Sequence, residues 1–226
     1  MKYERIKRAK FIKRKNRFIA EILIDGKLEL CHVKTTGRCK ELFIKGADIF
    51  VQEVSVPGRK TKYDLISVYQ NDMLINTDSQ VANTLCLELI KHGGLFKDVK
   101  SIRQEYGKLN SRFDFYVEYE DKKAFIEVKG VTLEENGVAL FPDAPTSRGL
   151  KHINDLIELK AMGYEAYIIF MVQMENALVF RPNIKQDKAF ADGLKRAKIE
   201  GVNIKAFRCF VGEDSIYPLS EIEVQI

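Results

Sequence analysis

The sequence predicts an α/β protein in which a small β-barrel precedes a larger domain of alternating strands and helices. Two patterns along the chain predict this class. Residues 8–76 contain short β segments and no long helix, whereas helical and β periodicities alternate from residue 79 onwards. The charge divides in the same way, because residues 1–80 hold 17 basic and 10 acidic residues and residues 81–226 hold 20 and 22. We therefore place the domains at residues 1–80 and 81–226.

The composition is that of a globular chain rather than of a disordered or fibrous one, with 46% hydrophobic and 31% charged residues. The longest apolar run, residues 166–172, is far shorter than the roughly 20 residues that a bilayer-spanning helix needs. We therefore expect no membrane segment and no secretory signal. The four cysteines stand far apart without a Cys-x-x-Cys pair, which disfavours a zinc ribbon or a disulfide framework and favours a reduced, cytoplasmic protein.

The barrel is predicted from short strands joined by turn signals. Apolar residues alternate over residues 18–24, and Asp25-Gly26 is a strong hairpin signal before the next run, which contains residues 28–30. Further strands are expected at residues 48–56 and 63–69, with a cationic turn-forming loop between them. Five or so strands in about 80 residues suggest a small barrel, of which the oligonucleotide-binding (OB) fold is one form.

The second domain is predicted from helices that alternate with strands. The expected helices span residues 79–92, 147–162 and 187–200, and each is followed by glycine. The expected strands span residues 102–106, 112–119, 123–131, 166–173 and 203–210, with a weaker one near residues 138–141. The run at 166–173 is apolar throughout, which is typical of a strand buried on both faces. These elements predict an α/β domain.

Two adjacent strands carry the residues most suited to chemistry. If Asp121-Lys122 is a two-residue loop, Asp114 faces Lys129 and Tyr116 faces Glu127. Because side chains alternate along a strand, two carboxylates and an ammonium then converge on one patch of the sheet. A register shifted by one residue would move Asp114 to the opposite face, and a longer loop is an alternative. An exposed strand with alternating charges would show the same spacing.

This set of residues suits a divalent cation and a phosphate. Carboxylates are hard oxygen ligands for Mg²⁺ (or Mn²⁺), and Mg²⁺ typically takes one or two protein carboxylates plus waters and phosphate oxygens. A nearby lysine can hold the phosphate or help to position the attacking water. We therefore expect Asp114 and Glu127 to ligate metal, with Lys129 beside the phosphate.

Three further features extend the candidate site. Glu88 lies on the apolar stripe of the first helix, where an unpaired carboxylate is costly unless it reaches solvent from the edge of the stripe. Glu105 lies near the end of a strand, where a plain surface charge is the alternative. Residues 141–149 lead into a helix with Lys151 and His152 in its first turn. Cations there oppose the helix dipole unless an anion binds beside them, and a simple capping loop is the alternative.

These motifs closely resemble the sugar fermentation stimulation protein A family of bacteria and archaea, and they run along nearly the whole chain. They are His32, Thr36-Gly37, Ala82-Asn83, Leu85, Glu88, Ser111-Arg112-Phe113-Asp114-Phe115, Glu127-Val128-Lys129, Phe141-Pro142-Asp143-Ala144, Arg148-Gly149 and Lys151-His152. One departure follows His32, where this chain has Val33-Lys34-Thr35 and the family pattern has Cys-Pro-Asn or similar. A role specific to that loop is therefore not carried over.

The resemblance implies an N-terminal OB-like β-barrel followed by a PD-(D/E)xK (restriction-endonuclease-like) α/β domain with a central mixed sheet. Asp114, Glu127 and Lys129 then fall on the signature positions, and Glu88 falls on the acidic position of the first helix as a third metal ligand. The residues expected to contact phosphate or to assist the site are Glu105, Arg112, Asp143, Arg148, Lys151 and His152. The family is regarded as DNA-binding and is linked to the regulation of sugar utilisation.

The basic N-terminus favours nucleic acid as a partner, because nine of its first 17 residues are cations. A solvated strand edge kept soluble by lysines is the alternative. The expected nucleic-acid contacts are Arg8, Lys10, Lys13, Arg14, Lys15, Arg17, Lys34, Arg38, Arg59, Lys60 and Lys62. No base-reading module is recognisable, so we expect binding to double- or single-stranded DNA without strong sequence specificity, and RNA is the weaker expectation.

Two functions follow from these expectations. The first is a DNA-binding protein with a Mg²⁺-dependent phosphodiesterase site. The second is a non-catalytic DNA-binding regulator that keeps the nuclease fold as a scaffold. The sequence leaves the oligomeric state open.

Overall fold

The computed structural model describes residues 1–35, 37–55 and 57–226, and these contain 15 strands and three helices. Thr36 of the family motif and Val56 at the predicted end of a strand lie outside the described residues. The first sheet has the order β3-β2-β1-β4-β5-β6, and a parallel pairing of β3 with β5 closes five of its strands into a barrel. Its strands are β1 (Ile6–Arg14), β2 (Ile19–Ile24), β3 (Lys27–Val33), β4 (Asp48–Glu53), β5 (Tyr63–Gln70) and β6 (Met73–Asn76).

The β2–β3 hairpin forms as its sequence predicts. Asp25 and Gly26 both have positive φ, 50° and 73°, as a two-residue turn of the mirror-image type requires. The turn brings Ile24 opposite Lys27. Along β2, Ile22 is buried and the next residue, Leu23, is exposed, so alternation separates the barrel interior from its outer surface.

The second sheet is mixed and has the order β10-β11-β13-β15-β14-β12-β9-β8-β7. Strands β9, β12 and β14 run parallel, whereas β7, β8 and β9 pair antiparallel. The remaining elements are α1 (Val81–Lys91), β7 (Val99–Lys108), β8 (Ser111–Tyr119), β9 (Lys122–Val131), β10 (Leu133–Glu135), β11 (Val138–Phe141), α2 (Ser147–Ala161), β12 (Glu165–Val172), β13 (Val179–Pro182), α3 (Lys188–Ile199), β14 (Asn203–Val211) and β15 (Ile216–Val224). The predicted fold class, an OB-like barrel followed by a mixed-sheet α/β domain, is confirmed.

Helices cover both faces of the mixed sheet. Helix α1 buries Leu85 against the face that carries Ile126, whereas α2 buries Ile153 and Leu156 with Phe125 on the other face. Helix α3 packs beside α2. In such sheets ligands bind in the crevice outside the carboxyl ends of the parallel strands, so the ends of β9 and β12 are where a site is expected. None of the three helices in the described residues is long and apolar enough to cross a membrane.

The hairpin register predicted for β8 and β9 is wrong by two residues. Tyr119 pairs with Lys122, so the loop is Glu120-Asp121, and Tyr116 faces Phe125 rather than Glu127. The chain makes this turn because Glu120 adopts a positive φ of 48°. A shift of two residues leaves every side chain on its predicted face, so the convergence of charges survives the correction.

Candidate functional site

Glu127 lies near the carboxyl end of β9 and is buried, with 3% of its surface exposed. Its Oε1 accepts hydrogen bonds from the Lys129 ammonium and from Nδ1 of His152, which reaches it from α2. Burial raises the pKa of the Glu127 carboxyl, but the His152 hydrogen bond and the Lys129 charge outweigh burial and hold the pKa below the usual glutamate range. Glu127 is therefore an ionised carboxylate at neutral pH.

The second oxygen of this carboxylate, Oε2, is buried and has no hydrogen-bond partner among the described residues. A buried, charged oxygen without a partner is costly unless a donor or a cation reaches it. Glu127 Oε2 therefore offers a ligand position that the protein itself leaves unused.

Asp114 lies on β8, directly before Phe115, which pairs with Ile126 of β9. Its Oδ1 accepts from the Asn83 side chain at 2.8 Å, and its Oδ2 accepts from the Val128 backbone N–H at 2.7 Å. Burial and the nearby Glu127 charge raise the pKa of Asp114, although these two hydrogen bonds oppose the change. A bound cation would reduce the electrostatic repulsion between these two carboxylates.

A cleft opens between the mixed sheet and the barrel, and among the described residues its lining includes Val128 and Lys129 but neither Asp114 nor Glu127. It has a volume of about 240 Å³ and is lined by Lys129 and Gly130 of β9 together with Thr35 and Gly37 of the barrel. Asp143, from the segment between β11 and α2, also lines it. The cleft thus draws residues from both parts of the chain, and the Lys129 side chain lies in its wall.

A buried polar network joins the barrel to the mixed sheet at the floor of the cleft. The Gln173 amide donates to the backbone oxygens of Asn76 at 2.9 Å and Asp78 at 3.1 Å. The Asp78 carboxylate is buried and pairs with the Lys34 ammonium. It also accepts from the Gln80 backbone N–H at 3.0 Å. This network holds the two walls of the cleft in one arrangement.

Sequence reasoning missed the roles of Asn83 and Gln173. Both carry detectable signals, because Gln173 is a polar residue directly after the apolar run 166–172 and Asn83 follows two buried residues of α1. An amide in such a place needs a partner, and in a sheet of this type the partner lies at the carboxyl ends of the strands.

The structure brings some of the expected auxiliary residues to the site and places others elsewhere. His152 is buried and contacts the Glu127 carboxylate, so it orients a carboxylate rather than facing a phosphate directly. The Lys151 ammonium donates to the Asn110 carbonyl and to the Ser111 hydroxyl, each at 2.6 Å, which fastens α2 to the turn between β7 and β8. Arg148 is exposed in the first turn of α2.

Asp143, Glu105 and Arg112 have partners outside the carboxylate pair. The Asp143 carboxylate accepts from the Arg38 backbone N–H at 2.9 Å and so fixes a barrel loop to the cleft. Glu105 and Arg112 form an exposed ion pair at 3.4 Å on neighbouring strands. An exposed pair of this kind contributes about 0–1 kcal/mol, and both side chains remain available to a ligand.

Glu88 does not join Asp114 and Glu127. Its carboxylate lies 3.4 Å from the Met1 ammonium, and within the described residues no group of three or more His, Cys, Asp or Glu converges as metal ligands would. The reason is helical geometry: Glu88 follows Asn83 by five residues, which is about 140° around the helix and about 7.5 Å along it. The expected three-carboxylate set is thereby corrected to two.

Glu88→Gln is accordingly expected to change any metal affinity of this site less than twofold. The carboxylate faces the Met1 ammonium and not the Asp114 pair. Isothermal titration with Mn²⁺ measures the affinity, with the parent chain as reference. A loss of tenfold or more would place Glu88 among the ligands.

Most cations expected to contact nucleic acid are engaged in ion pairs on the barrel surface. The pairs are Arg8 and Lys10 with Asp48, Lys13 and Lys15 with Glu21, Lys34 with Asp78, Arg59 with Asp64, and Lys62 with Glu53. The exposed pairs among them are weak enough to exchange for phosphate contacts. In the described part of the chain Arg17, Arg38 and Lys60 take part in no ion pair with an acidic side chain.

Comparison with known proteins finds two family models that match along the chain. Residues 80–215 match the family model of the sugar fermentation stimulation protein RE domain, and residues 12–77 match that of the SfsA N-terminal OB domain. The two matches together cover most of the chain.

Relatives and a solved structure extend the likeness to the full length. A sugar fermentation stimulation protein homolog of Clostridium beijerinckii is 56% identical over 216 residues, which are 96% of each chain. That of Ruminiclostridium cellulolyticum is 50% identical over 226 residues and the whole of both chains. The structure of Pyrococcus furiosus SfsA in complex with Ca²⁺ is 28% identical with a TM-score of 0.92, and the match covers 100% of this chain and 98% of that one. The resemblance predicted from the motifs is confirmed, and the chain belongs to the sugar fermentation stimulation protein family.

Proposed function

We propose that this chain binds DNA without strong sequence specificity and hydrolyses phosphodiester bonds with the help of Mg²⁺ or Mn²⁺. The observation that supports catalysis is the convergence of Asp114, Glu127 and Lys129: Glu127 pairs with Lys129, the Glu127 charge raises the pKa of Asp114, and Lys129 also lines the cleft. Two carboxylates and one ammonium are the groups that metal-assisted phosphodiester hydrolysis uses.

The residues present fit a divalent cation. Within the described residues Glu127 Oε2 has no partner, and each Asp114 oxygen accepts a single hydrogen bond. Two protein carboxylates suffice for Mg²⁺, because this ion keeps several waters and shares phosphate oxygens. The P. furiosus relative is described in complex with Ca²⁺, another hard cation that prefers oxygen ligands. When bound, such an ion stabilises negative charge on the phosphate and makes a bound water more acidic.

The side chains around the carboxylates would keep the site preorganised. His152 fixes the orientation of Glu127, and Asn83 together with the Val128 backbone fixes Asp114. Lys129, which now pairs with Glu127, would turn its ammonium to a non-bridging phosphate oxygen and to the attacking water. Holding reacting groups in place in this way lowers the entropic part of the barrier.

The direct test of catalysis is incubation of the purified chain with single- and double-stranded DNA in Mg²⁺ or Mn²⁺. Asp114→Asn and Lys129→Ala are expected to abolish cleavage, because one removes a ligand charge and the other the phosphate contact. Lys123→Ala is the matched control, since Lys123 is an exposed lysine on the same strand β9. Cleavage that persists undiminished in the first two variants would locate the activity elsewhere or in a contaminant.

A second candidate, DNA binding without catalysis, is favoured by one observation. Glu127 Oε1 already accepts hydrogen bonds from the Lys129 ammonium and from His152, so protein groups stabilise part of this carboxylate without a metal. Calorimetric titration with Mn²⁺ separates the candidates. A parent chain that binds no Mn²⁺ would favour the scaffold, whereas binding that Glu127→Ala abolishes would count against it.

The choice between DNA and RNA is open to a competition experiment, because OB-like barrels accept either polymer. Matched DNA and RNA oligonucleotides compete for the chain in the presence of EDTA. DNA is expected to displace RNA, and a preference for RNA would overturn the assignment of the partner.

A further inference from the structure

We infer that the nucleic-acid backbone leaves the candidate site along one particular groove of the barrel. This inference rests on the proposed function and specifies the path of its substrate. The path, called here the basic groove, is lined by Arg14, Arg17, Gly37, Arg38, Lys40, Phe43 and Ala144. The competing path is the barrel face formed by β2 and β3 near Lys60 and Lys62. OB folds commonly bind oligonucleotides on the face formed by their second and third strands.

The charge of the basic groove suits a polyanion. Of the seven described residues that line it, four are cations and none is acidic, and the groove has a volume of about 620 Å³. Arg17, Arg38 and Lys40 are exposed, and the ion pairs among the described residues include none of the three. Phosphates can therefore reach these three cations without first displacing a carboxylate.

The competing face carries carboxylates as well as cations. The groove that contains Lys60 and Lys62 is also lined by Glu21 and Glu29. Lys62 lies 2.9 Å from Glu53 as well. A strand of phosphates would meet repulsion as well as attraction there, which disfavours this face as the main contact.

The basic groove adjoins the cleft at the candidate site. Gly37 lines both cavities, and the consecutive residues Asp143 and Ala144 line one each. The two parts of the chain approach closely here, because a Cβ added to Gly37 would lie 2.6 Å from the Asp143 carboxylate. Only glycine permits this approach without moving Asp143. A backbone lying beside Lys129 can therefore pass Gly37 directly into the groove.

Arg14 makes the wall of the groove rigid rather than serving as its main phosphate contact. Its guanidinium donates to the backbone oxygens of Gly37 at 2.8 Å, Arg38 at 2.9 Å and Arg17 at 2.7 Å. It also donates to the Thr35 oxygen at 3.1 Å, so one side chain fastens the loop after β3 to the turn after β1. The exposed cations Arg17 and Arg38 thus project from a fixed backbone, which limits the entropy lost on binding.

The test compares two charge-matched double variants of the full chain, each lacking two cations. Arg38→Ala with Lys40→Ala removes two of the three exposed cations of the groove, and Lys60→Ala with Lys62→Ala removes the two lysines of the competing face. Fluorescence anisotropy with a labelled oligonucleotide in EDTA measures binding without cleavage. We expect the groove variant to bind about tenfold more weakly or worse and to lower the magnitude of the salt slope by about 1.4–1.8, because each lost phosphate contact removes about 0.7–0.9. The control variant is expected to change affinity less than twofold.

The outcomes separate the inference from the proposed function. Equal losses in both variants, or a larger loss in the control variant, would overturn the inferred path and leave DNA binding intact. A parent chain that binds neither single- nor double-stranded DNA would overturn both. All four substituted side chains are exposed, and thermal melting verifies that the variants remain folded.

Discussion

Glu127→Gln is expected to lower metal-dependent cleavage of DNA about a thousandfold, since a metal supplies several kcal/mol of charge stabilisation and each tenfold is about 1.4 kcal/mol. The substitution keeps the size of the side chain but removes the negative charge and one of its oxygens. Glu127 Oε2 is the ligand position without a partner among the described residues, so its loss strikes the metal site directly. The measurement is kcat/KM for a labelled duplex and a labelled single strand in Mg²⁺.

The control for this result is Glu120→Gln, which removes an exposed carboxylate at the far end of the same hairpin. It is expected to leave kcat/KM unchanged. Circular dichroism verifies that Glu127→Gln retains its fold. A loss smaller than tenfold in a folded Glu127→Gln chain would show that this carboxylate is not essential to the reaction.

Asp78→Ala is expected to lower the free energy of unfolding by about 3 kcal/mol, because breaking a buried ion pair leaves its partner uncompensated. Asp78 is 1% exposed and pairs with Lys34, and it also accepts from the Gln80 backbone N–H just before α1. The truncation therefore removes the pair and a hydrogen bond together. Urea unfolding followed by circular dichroism measures the change.

Two further variants test this account of Asp78. Asp72→Ala removes an exposed carboxylate from the turn between β5 and β6 and is expected to change the free energy of unfolding by less than about 0.5 kcal/mol. The double variant Lys34→Met with Asp78→Ala is expected to lose less than the two single variants together, because no unpaired ammonium remains. A loss below about 1 kcal/mol for Asp78→Ala would mean that the network does not hold the junction.

The strands that sequence reasoning identified are those with alternating apolar residues, such as β2, or with a continuous apolar run, such as β12. Strand β15 was not predicted, although it lies inside the mixed sheet between β13 and β14. It contains Pro218, which pairs with Cys209 at an irregularity of the ladder, and exposed residues occupy much of its length. Proline within a run argues against a central strand, and here the irregularity accommodates it. Pairing with β14, which directly precedes it in the chain, and with the more distant β13 defines this strand, and the local apolar pattern does not show it.

The hairpin register shows a similar limit. Neither Glu120-Asp121 nor Asp121-Lys122 is a favoured two-residue turn, so the sequence did not decide between them. The packing of β8 and β9 decided it, at the cost of a positive φ at Glu120. Because both alternatives keep the same faces, the convergence of Asp114 with Glu127 could be predicted although the pairing could not.

Residue types at the site were predictable, whereas the partner of each residue was not. His152 and Lys151 adjoin in the sequence, yet one contacts Glu127 in the interior and the other fastens the surface turn at Ser111. The contacts of these two side chains depend on how α2 is rotated about its own axis, and the apolar pattern of the helix indicates this rotation only approximately. The cations of the barrel show the same limit, because an ion pair such as that of Arg8 with Asp48 joins strands that are distant in the sequence.

The measurement that tests the central claim most directly is anomalous diffraction from crystals of the chain soaked in Mn²⁺. We predict one strong anomalous peak in contact with carboxylate oxygens of both Asp114 and Glu127, and its absence from Glu127→Gln crystals. A peak elsewhere, or no peak in the parent chain at a concentration that occupies ordinary Mn²⁺ sites, would contradict the proposed metal-dependent site.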